Sequence, residues 1–149
     1  TPTLQQGARL AGAARIIGAD RVAARLPAAV ANGATDTVDA SEVDLATAVR
    51  DLTGGAGVDH GIEVVSKPAT IRAAYDATRR GGRVTLVDAA GIEESVTFPA
   101  LSLMADGKTI RGSVYGASDP ARDHPGACRA CPTRPARPRS AGDATDRYR

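Results

Sequence analysis

The chain has 149 residues, enough for one ordinary domain and too few for two domains with separate cores. Its formal net charge is +2, and its two cysteines, Cys128 and Cys131, exclude the disulfide framework of a small secreted protein. No apolar run approaches the length that spans a bilayer, so the sequence predicts a cytoplasmic protein without a membrane partner.

The basic residues are concentrated in the last part of the chain. Residues 116–149 hold seven arginines and four aspartates but no Val, Ile, Leu, Met or Phe. Such a segment cannot build a core. We therefore predict a folded domain in residues 1–123 and a disordered Arg/Pro/Ala-rich tail in residues 124–149. The tail lacks aromatic residues for base stacking apart from Tyr148, so nucleic acid is not an expected partner.

Helices and strands alternate along the predicted domain. In chain order, the predicted helices are residues 4–12, 22–31, 42–52, 67–80 and 101–105. The predicted strands are residues 15–20, 35–40, 58–65, 83–89 and 109–115. Ser41 and Ser66 are the expected N-caps of the third and fourth helices, and Pro27 is a flaw inside the second. This alternation predicts an α/β fold with a parallel sheet.

Asp20 ends the first predicted strand, at the edge where open α/β sheets bind ligands. A carboxylate there can accept hydrogen bonds from both hydroxyls of an adenosine ribose and repels a 2′-phosphate, which favours NAD over NADP. Arg25 follows five positions later, within reach of the same ribose or of the pyrophosphate. Alternatively, Asp20 only caps the helix that follows, and the spacing does not decide between the two.

Other motifs carry less chemistry. The glycines of residues 54–57 follow a helix and precede a strand, the reverse of a phosphate-binding loop, and are predicted to form a simple turn. Cys128, Cys131 and the upstream His124 lack a second pair of ligands and are not predicted to bind zinc. His60 lies inside a strand and is predicted to pack against its neighbours rather than act as a base.

Six segments, in order, resemble the zinc-type medium-chain alcohol dehydrogenases. They read QGARLAGAARIIGAD (6–20), NGATDTV (32–38), LTGGAGVD (52–59), IEVV (62–65), RGGRV (80–84) and KTIRGSVYG (108–116). The resemblance covers about residues 5–123 and implies part of the NAD-binding domain, a Rossmann-type doubly wound parallel sheet. Enzymes of this family transfer hydride between an alcohol or aldehyde and NAD and are usually homo-oligomers. Their zinc is held by a separate catalytic domain, none of whose ligands is present in this chain.

The resemblance assigns the adenosine side of the cofactor to the first half of the chain. Asp20 would hold the adenosine ribose, and Arg25 stands where the family usually has a supporting lysine. Val65, at the end of the IEVV strand, would line the nucleotide cleft. Ser66 follows it at a position where the family usually has glycine.

The nicotinamide side is assigned to later residues. Val87 and Ala89 would lie against the nicotinamide, and the backbone near Val114 and Tyr115 would meet its carboxamide. Asp88 replaces a usual glycine and would put a carboxylate close to the nicotinamide. The resemblance implies no catalytic or metal-binding residue in this chain.

Two segments depart from the family pattern. The Gly-x-Gly-x-x-Gly loop and its strand would lie upstream of Gln6, so we expect a partial sheet without its first strand, which is central in the order 3-2-1-4-5-6. After Asp123 the chain reads HPGACRAC in place of a Leu- and Val-rich helix. We hypothesise a change of reading frame there, which sequencing the locus would test. The chain is then either the cofactor-binding part of an NAD-dependent alcohol dehydrogenase, inactive alone, or a non-catalytic remnant that binds no NAD.

Overall fold

The computed structural model describes residues 2–91 and 93–114, which belong to one compact unit. Its helices are α1 (Pro2–Leu10), α2 (Leu26–Ala31), α3 (Leu45–Leu52), α4 (Pro68–Ala77) and α5 (Ala100–Asp106). Its strands are β1 (Ile17–Asp20), β2 (Asp36–Asp39), β3 (Val58–Glu63), β4 (Thr78–Leu86) and β5 (Thr109–Gly112). Within these described ranges, no helix is both long and apolar enough to cross a bilayer.

The described strands form two parallel sheets. Strand β1 pairs with β2, and the register sets Asp20 opposite Asp39 at the end of both strands. The second sheet has the order β3-β4-β5 and sets Glu63, Leu86 and Gly112 side by side. Parallel strands connected through helices confirm the predicted α/β fold.

A cavity of about 930 Å³ lies between the two sheets. Residues 16–19 line it from the β1 side, residues 57–62 from the β3 side, and Leu4, Gln5 and Ala8 from α1. No strand pairing joins β1 to β3 in the described part of the chain. The expected sheet lacks its central strand, and among the residues that the structure describes β1 and β3 each have one edge without a strand partner.

The core of the second sheet is built around Tyr75, which is fully buried together with Val84. The Tyr75 ring packs against Phe98, with 4.9 Å between ring centroids. On the same ring lies the ammonium group of Lys108, 4.4 Å from the centroid, which also donates a hydrogen bond to the Tyr75 carbonyl at 2.8 Å. Burial lowers the pKa of Lys108, and nearby Asp106 acts in the opposite direction. This cluster connects α4 to the segments around α5 and β5.

Arg15 connects the first sheet to helix α3. Its guanidinium donates two hydrogen bonds to the carboxylate of Asp36, at 2.7 and 2.8 Å, and a third to the carbonyl of Leu52 at the end of α3. The hydrogen bond from Arg15, assisted by one from Thr35, lowers the pKa of Asp36 to about 2. The paired charges therefore link β1, β2 and α3.

Two helices begin later than predicted. The stretch predicted as one helix over residues 22–31 is divided into a 3-10 turn, Ala23–Arg25, and helix α2, because Pro27 fits the first turn of a helix but not its interior. Helix α3 is capped by Asp44, which accepts hydrogen bonds from the backbone and side chain of Thr47, and not by Ser41. Ser41 instead donates both its hydroxyl and its N–H to Asp39.

Helix α4 is shorter than predicted at both ends. Lys67 is its N-cap residue instead of Ser66, and the helix ends at Ala77 instead of Arg80. Residues 78–82, predicted as helix and turn, open strand β4 and contain an irregularity in the pairing with β3. The close approach of these strands requires glycine at position 82, where an added Cβ would lie 2.9 Å from the carbonyl oxygen of Asp59 in β3.

Candidate functional site

The candidate site lies at the carboxyl ends of the parallel strands, where open α/β sheets bind ligands. Asp20 is the last residue of β1. In the other sheet, Val65 follows the end of β3, Val87 and Ala89 follow β4, and Val114 follows β5. Because β3, β4 and β5 end in register, the structure brings the last four of these residues to one sheet edge. Asp20 belongs to the separate sheet.

Asp20 has a different partner for each carboxylate oxygen. Oδ1 accepts a hydrogen bond from the N–H of Val22 at 2.9 Å, which shapes the turn into the following helical segment. Oδ2 lies 3.9 Å from Nη1 of Arg25, and both side chains are accessible to solvent. Oδ1 thus holds the turn that precedes the helical segment, while Oδ2 is next to a cation, and ribose binding by Asp20 stays a prediction.

A second carboxylate stands next to Asp20 in the strand register. Asp39 accepts hydrogen bonds from the hydroxyl and the N–H of Ser41, at 2.6 and 2.9 Å, and these bonds lower its pKa. Asp39 is therefore ionised over the whole physiological pH range. The carboxyl end of the first sheet carries negative charge from two strands, which opposes binding of an additional phosphate there.

Apolar side chains are exposed at the ends of the second sheet. The exposed fractions are 54% for Val65, 39% for Val87 and 77% for Val114, and Ala89 is exposed as well. Exposed apolar side chains at the ligand-binding edge of a sheet can contact a flat ring. These are residues that the family resemblance assigns to the nucleotide cleft and the nicotinamide, and their contact with the cofactor stays a prediction.

The turn between β3 and α4 is organised by a residue that the sequence analysis did not select. Glu63 is 5% exposed, and its carboxylate accepts hydrogen bonds from the N–H groups of Val65 and Ser66 and from the hydroxyl of Thr70. The available signal was an acidic residue inside the otherwise apolar run IEVV. An ionised group in such a run must find donors when it is buried.

Ser66 has an unusual conformation in this turn. Its φ of 54° lies in the left-handed region, which glycine adopts without cost. Its hydroxyl donates to the carbonyl of Asp88 at 2.7 Å, across from the end of β3 to the end of β4. The carboxylate of Asp88 is exposed and accepts a hydrogen bond from the N–H of Ala89 at 2.9 Å.

The remaining candidates have other roles or lie elsewhere. Residues 54–57 form the predicted turn between α3 and β3, with left-handed backbone at Gly54, Gly55 and Gly57. His60 lies in β3, as predicted, but it is exposed and lines the cavity, so the prediction that it packs is wrong. The candidates outside the described residues are Tyr115, His124, Cys128 and Cys131. No group of three or more His, Cys, Asp or Glu residues that could hold a metal ion occurs in residues 2–91 and 93–114.

Comparison with known proteins gives consistent results. The sequence profile of the zinc-binding dehydrogenases matches residues 3–128. Alcohol dehydrogenase-like 5 of Arabidopsis thaliana is 32% identical over 125 residues, which cover 80% of this chain and 31% of that protein.

Two solved structures have the same fold as this chain. The alcohol dehydrogenase zinc-binding domain protein from Burkholderia ambifaria superposes with a TM-score of 0.81 at 37% identity, over 86% of this chain and 34% of that one. Benzyl alcohol dehydrogenase from Acinetobacter calcoaceticus gives a TM-score of 0.82 at 29% identity, over 86% of this chain and 35% of that one. The chain thus spans about a third of the length of these relatives. The resemblance in the sequence is confirmed, and the chain belongs to the zinc-binding dehydrogenase family.

Proposed function

We propose that this chain is the cofactor-holding part of an NAD-dependent alcohol dehydrogenase, an oxidoreductase that transfers hydride between an alcohol and NAD. Asp20 carries the proposal. One of its carboxylate oxygens is held by the N–H of Val22, while the other faces solvent beside Arg25. A carboxylate at a strand end accepts hydrogen bonds from a ribose diol and repels a 2′-phosphate, which supports NAD rather than NADP. The neighbouring negative charge of Asp39 supports the same preference.

The nicotinamide half is assigned to the other sheet. The exposed side chains of Val65, Val87, Ala89 and Val114 support an apolar seat for the ring, with Tyr115 as its proposed continuation. When bound, NAD supplies the position that accepts hydride from the alcohol carbon. We propose that the alcohol or aldehyde pocket and the zinc belong to the part of the longer relatives that this chain does not span. A cytoplasmic location and assembly into homo-oligomers are parts of the same proposal.

A second candidate function is a non-catalytic remnant that binds no NAD. The observation in its favour is the cavity between the sheets, since no strand pairing joins β1 to β3 among the described residues. A dinucleotide held by Asp20 at one end and Val87 at the other extends across both sheets, so the affinity depends on how firmly the sheets hold their separation.

Calorimetric titration of the purified chain with NAD and NADP distinguishes the two functions. We expect saturable binding of NAD, weaker binding of NADP, and about tenfold weaker NAD binding by Asp20→Ala, because hydrogen bonds to a charged group are lost. Asp51→Ala removes an exposed carboxylate from α3, away from the strand ends, and should bind NAD like the unmodified chain. A folded chain that releases no heat with either nucleotide would support the remnant.

A further inference from the structure

We propose that Glu63 and Ser66 form a clip that positions the end of β4 for the nicotinamide half of the dinucleotide. This inference rests on the proposed binding of NAD and adds two positioning residues to that site. The clip consists of the Glu63 carboxylate, the left-handed turn at Ser66 and the hydrogen bond from the Ser66 hydroxyl to the Asp88 carbonyl.

The carboxylate of Glu63 determines the shape of the turn. Oε1 accepts the N–H of Val65 at 2.9 Å and the hydroxyl of Thr70 at 2.8 Å, and Oε2 accepts the N–H of Ser66 at 3.0 Å. All of these donors are neutral, and Glu63 is 5% exposed. Among the described residues no ion pair involves Glu63, so the buried carboxylate depends on these donors, and the turn depends on the carboxylate.

The backbone conformation of Ser66 favours glycine, so the presence of serine indicates a role for its hydroxyl. Glycine suits a φ of 54° better than serine does, because it has no Cβ to crowd the backbone. Glycine, however, has no hydroxyl to donate. Ser66 is 2% exposed, and its hydroxyl reaches the Asp88 carbonyl at 2.7 Å. The hydrogen bond is therefore what serine contributes at this position.

The clip acts on the residues assigned to the nicotinamide. Asp88 lies between Val87 and Ala89, and the N–H of Val87 donates to the Glu63 carbonyl at 2.9 Å. Together with the bond from Ser66, this contact fixes two successive residues of the β4 end to the β3 turn. Loss of the clip should misplace Val87 and Ala89 and leave Asp20, which belongs to the other sheet, unaffected.

The test compares the affinities of the full chain for NAD and for ADP-ribose, which lacks the nicotinamide, by calorimetric titration. We expect Ser66→Gly and Ser66→Ala to lower the ratio of the NAD affinity to the ADP-ribose affinity about fivefold, the effect of one hydrogen bond. Glu63→Gln should change the ratio in the same direction. Ser102→Ala, which removes a part-buried hydroxyl from α5, is the matched control and should leave the ratio unchanged.

Two readouts separate positioning from a general loss of stability. Ser66→Gly should be more stable than Ser66→Ala because of the left-handed backbone, yet both should show the same affinity ratio because both lack the hydroxyl. In the ligand-free chain, hydrogen exchange at the Val87 amide should become faster in both variants and stay unchanged in Ser102→Ala.

Three outcomes would overturn the inference. If NAD binds the unmodified chain but the ratio is the same in the Ser66 variants as in Ser102→Ala, the clip is wrong and the proposed function stands. If NAD binds the unmodified chain no more tightly than ADP-ribose, the clip is wrong, and so is the contact proposed between the nicotinamide and the second sheet, because the ring then contributes nothing to the affinity. If the folded chain binds neither ligand, the proposed function fails and the clip fails with it.

Discussion

Two cations contact the ring of Tyr75, and the structure predicts that they contribute unequally to stability. The Lys108 ammonium lies 4.4 Å from the ring centroid, and the Lys108 side chain is only 7% exposed. The Arg72 guanidinium lies 5.8 Å away on a side chain that is 38% exposed. A cation–π contact contributes about 2 kcal/mol when desolvated and about 0.5 kcal/mol near the distance limit in solvent. We therefore expect coupling energies of about 2 kcal/mol for Tyr75 with Lys108 and about 0.5 kcal/mol for Tyr75 with Arg72.

Double-mutant cycles measure these two couplings. One cycle combines Tyr75→Leu with Lys108→Met and the other combines Tyr75→Leu with Arg72→Met, using free energies of unfolding from urea titrations. The hydrogen bond from Lys108 to the Tyr75 backbone carbonyl remains in Tyr75→Leu, and so does the ion pair of Arg72 with Asp76. Both interactions therefore cancel in the cycles, which isolate the contribution of the ring.

The reasoning would be refuted by equal couplings, or by a coupling with Lys108 below about 0.5 kcal/mol, the value of an exposed contact. A third measurement follows from the pKa of Lys108, which burial lowers. Because only the charged ammonium is attracted to the ring, the coupling should decrease on raising the pH earlier than it would for an exposed lysine.

Three further predictions concern charge and backbone. The pKa of Asp36 is about 2 in the folded chain against an ordinary value of 3.8, so the ionised carboxylate stabilises the fold fully above pH 3.8 and loses this effect as the pH falls to about 2. The difference in urea midpoint between the unmodified chain and Asp36→Asn should therefore shrink as the pH is lowered through this range. A difference that stays constant would contradict the prediction. Gly57→Ala should lower the free energy of unfolding by about 3 kcal/mol in urea titrations, because the backbone has a φ of 92° and the new Cβ would lie 2.6 Å from the Ala77 carbonyl oxygen. Gly54→Ala should lower it by only about 1 kcal/mol, because the backbone there has a φ of 64° but the space around the new Cβ is open. If the Asp88 carboxylate lies beside the nicotinamide as proposed, it favours the positively charged ring of NAD⁺ over the neutral ring of NADH. Asp88→Gly should then weaken binding of NAD⁺ relative to NADH about twofold in calorimetry, and an unchanged ratio would place that carboxylate elsewhere.

The sequence predicts the order of helices and strands better than their ends. Each of the five predicted strands overlaps a strand of the structure, because apolar runs bounded by polar residues mark buried parallel strands. The ends of helices and strands depend on which of several neighbouring residues forms the cap or the pairing, and the apolar pattern of the sequence does not decide this. Ser41 and Asp44 are both suitable N-cap residues for α3, but the Ser41 hydroxyl donates to Asp39, and Asp44 caps the helix. The opening of β4 reads as a helix, and its strand conformation depends on pairing with β3.

The candidate site was predictable where its chemistry is local. The sequence predicts Asp20 at the end of a strand, and the structure confirms that position. The sequence does not predict Ser66 as a positioning residue, because its role depends on a contact across 22 residues of sequence, with Asp88. The contacts of Glu63 are local, but the apolar pattern of the strand does not indicate them. No periodicity records such a contact, although the acid within an apolar strand and the serine at a usual glycine position were both visible.

The cavity between β1 and β3 gives successive residues of these strands different surroundings. A residue in a parallel strand directs its N–H and C=O to one side, and the next residue directs them to the other. Ile16 directs its carbonyl toward β2 and Glu63 directs its carbonyl toward β4, so Ile17, Ala19 and Ile62 direct their backbone groups toward the cavity. Amide exchange should therefore alternate between slow and fast along β1. These edges have no strand partner within residues 2–91 and 93–114, and an edge of this kind can accept an extended segment from another molecule.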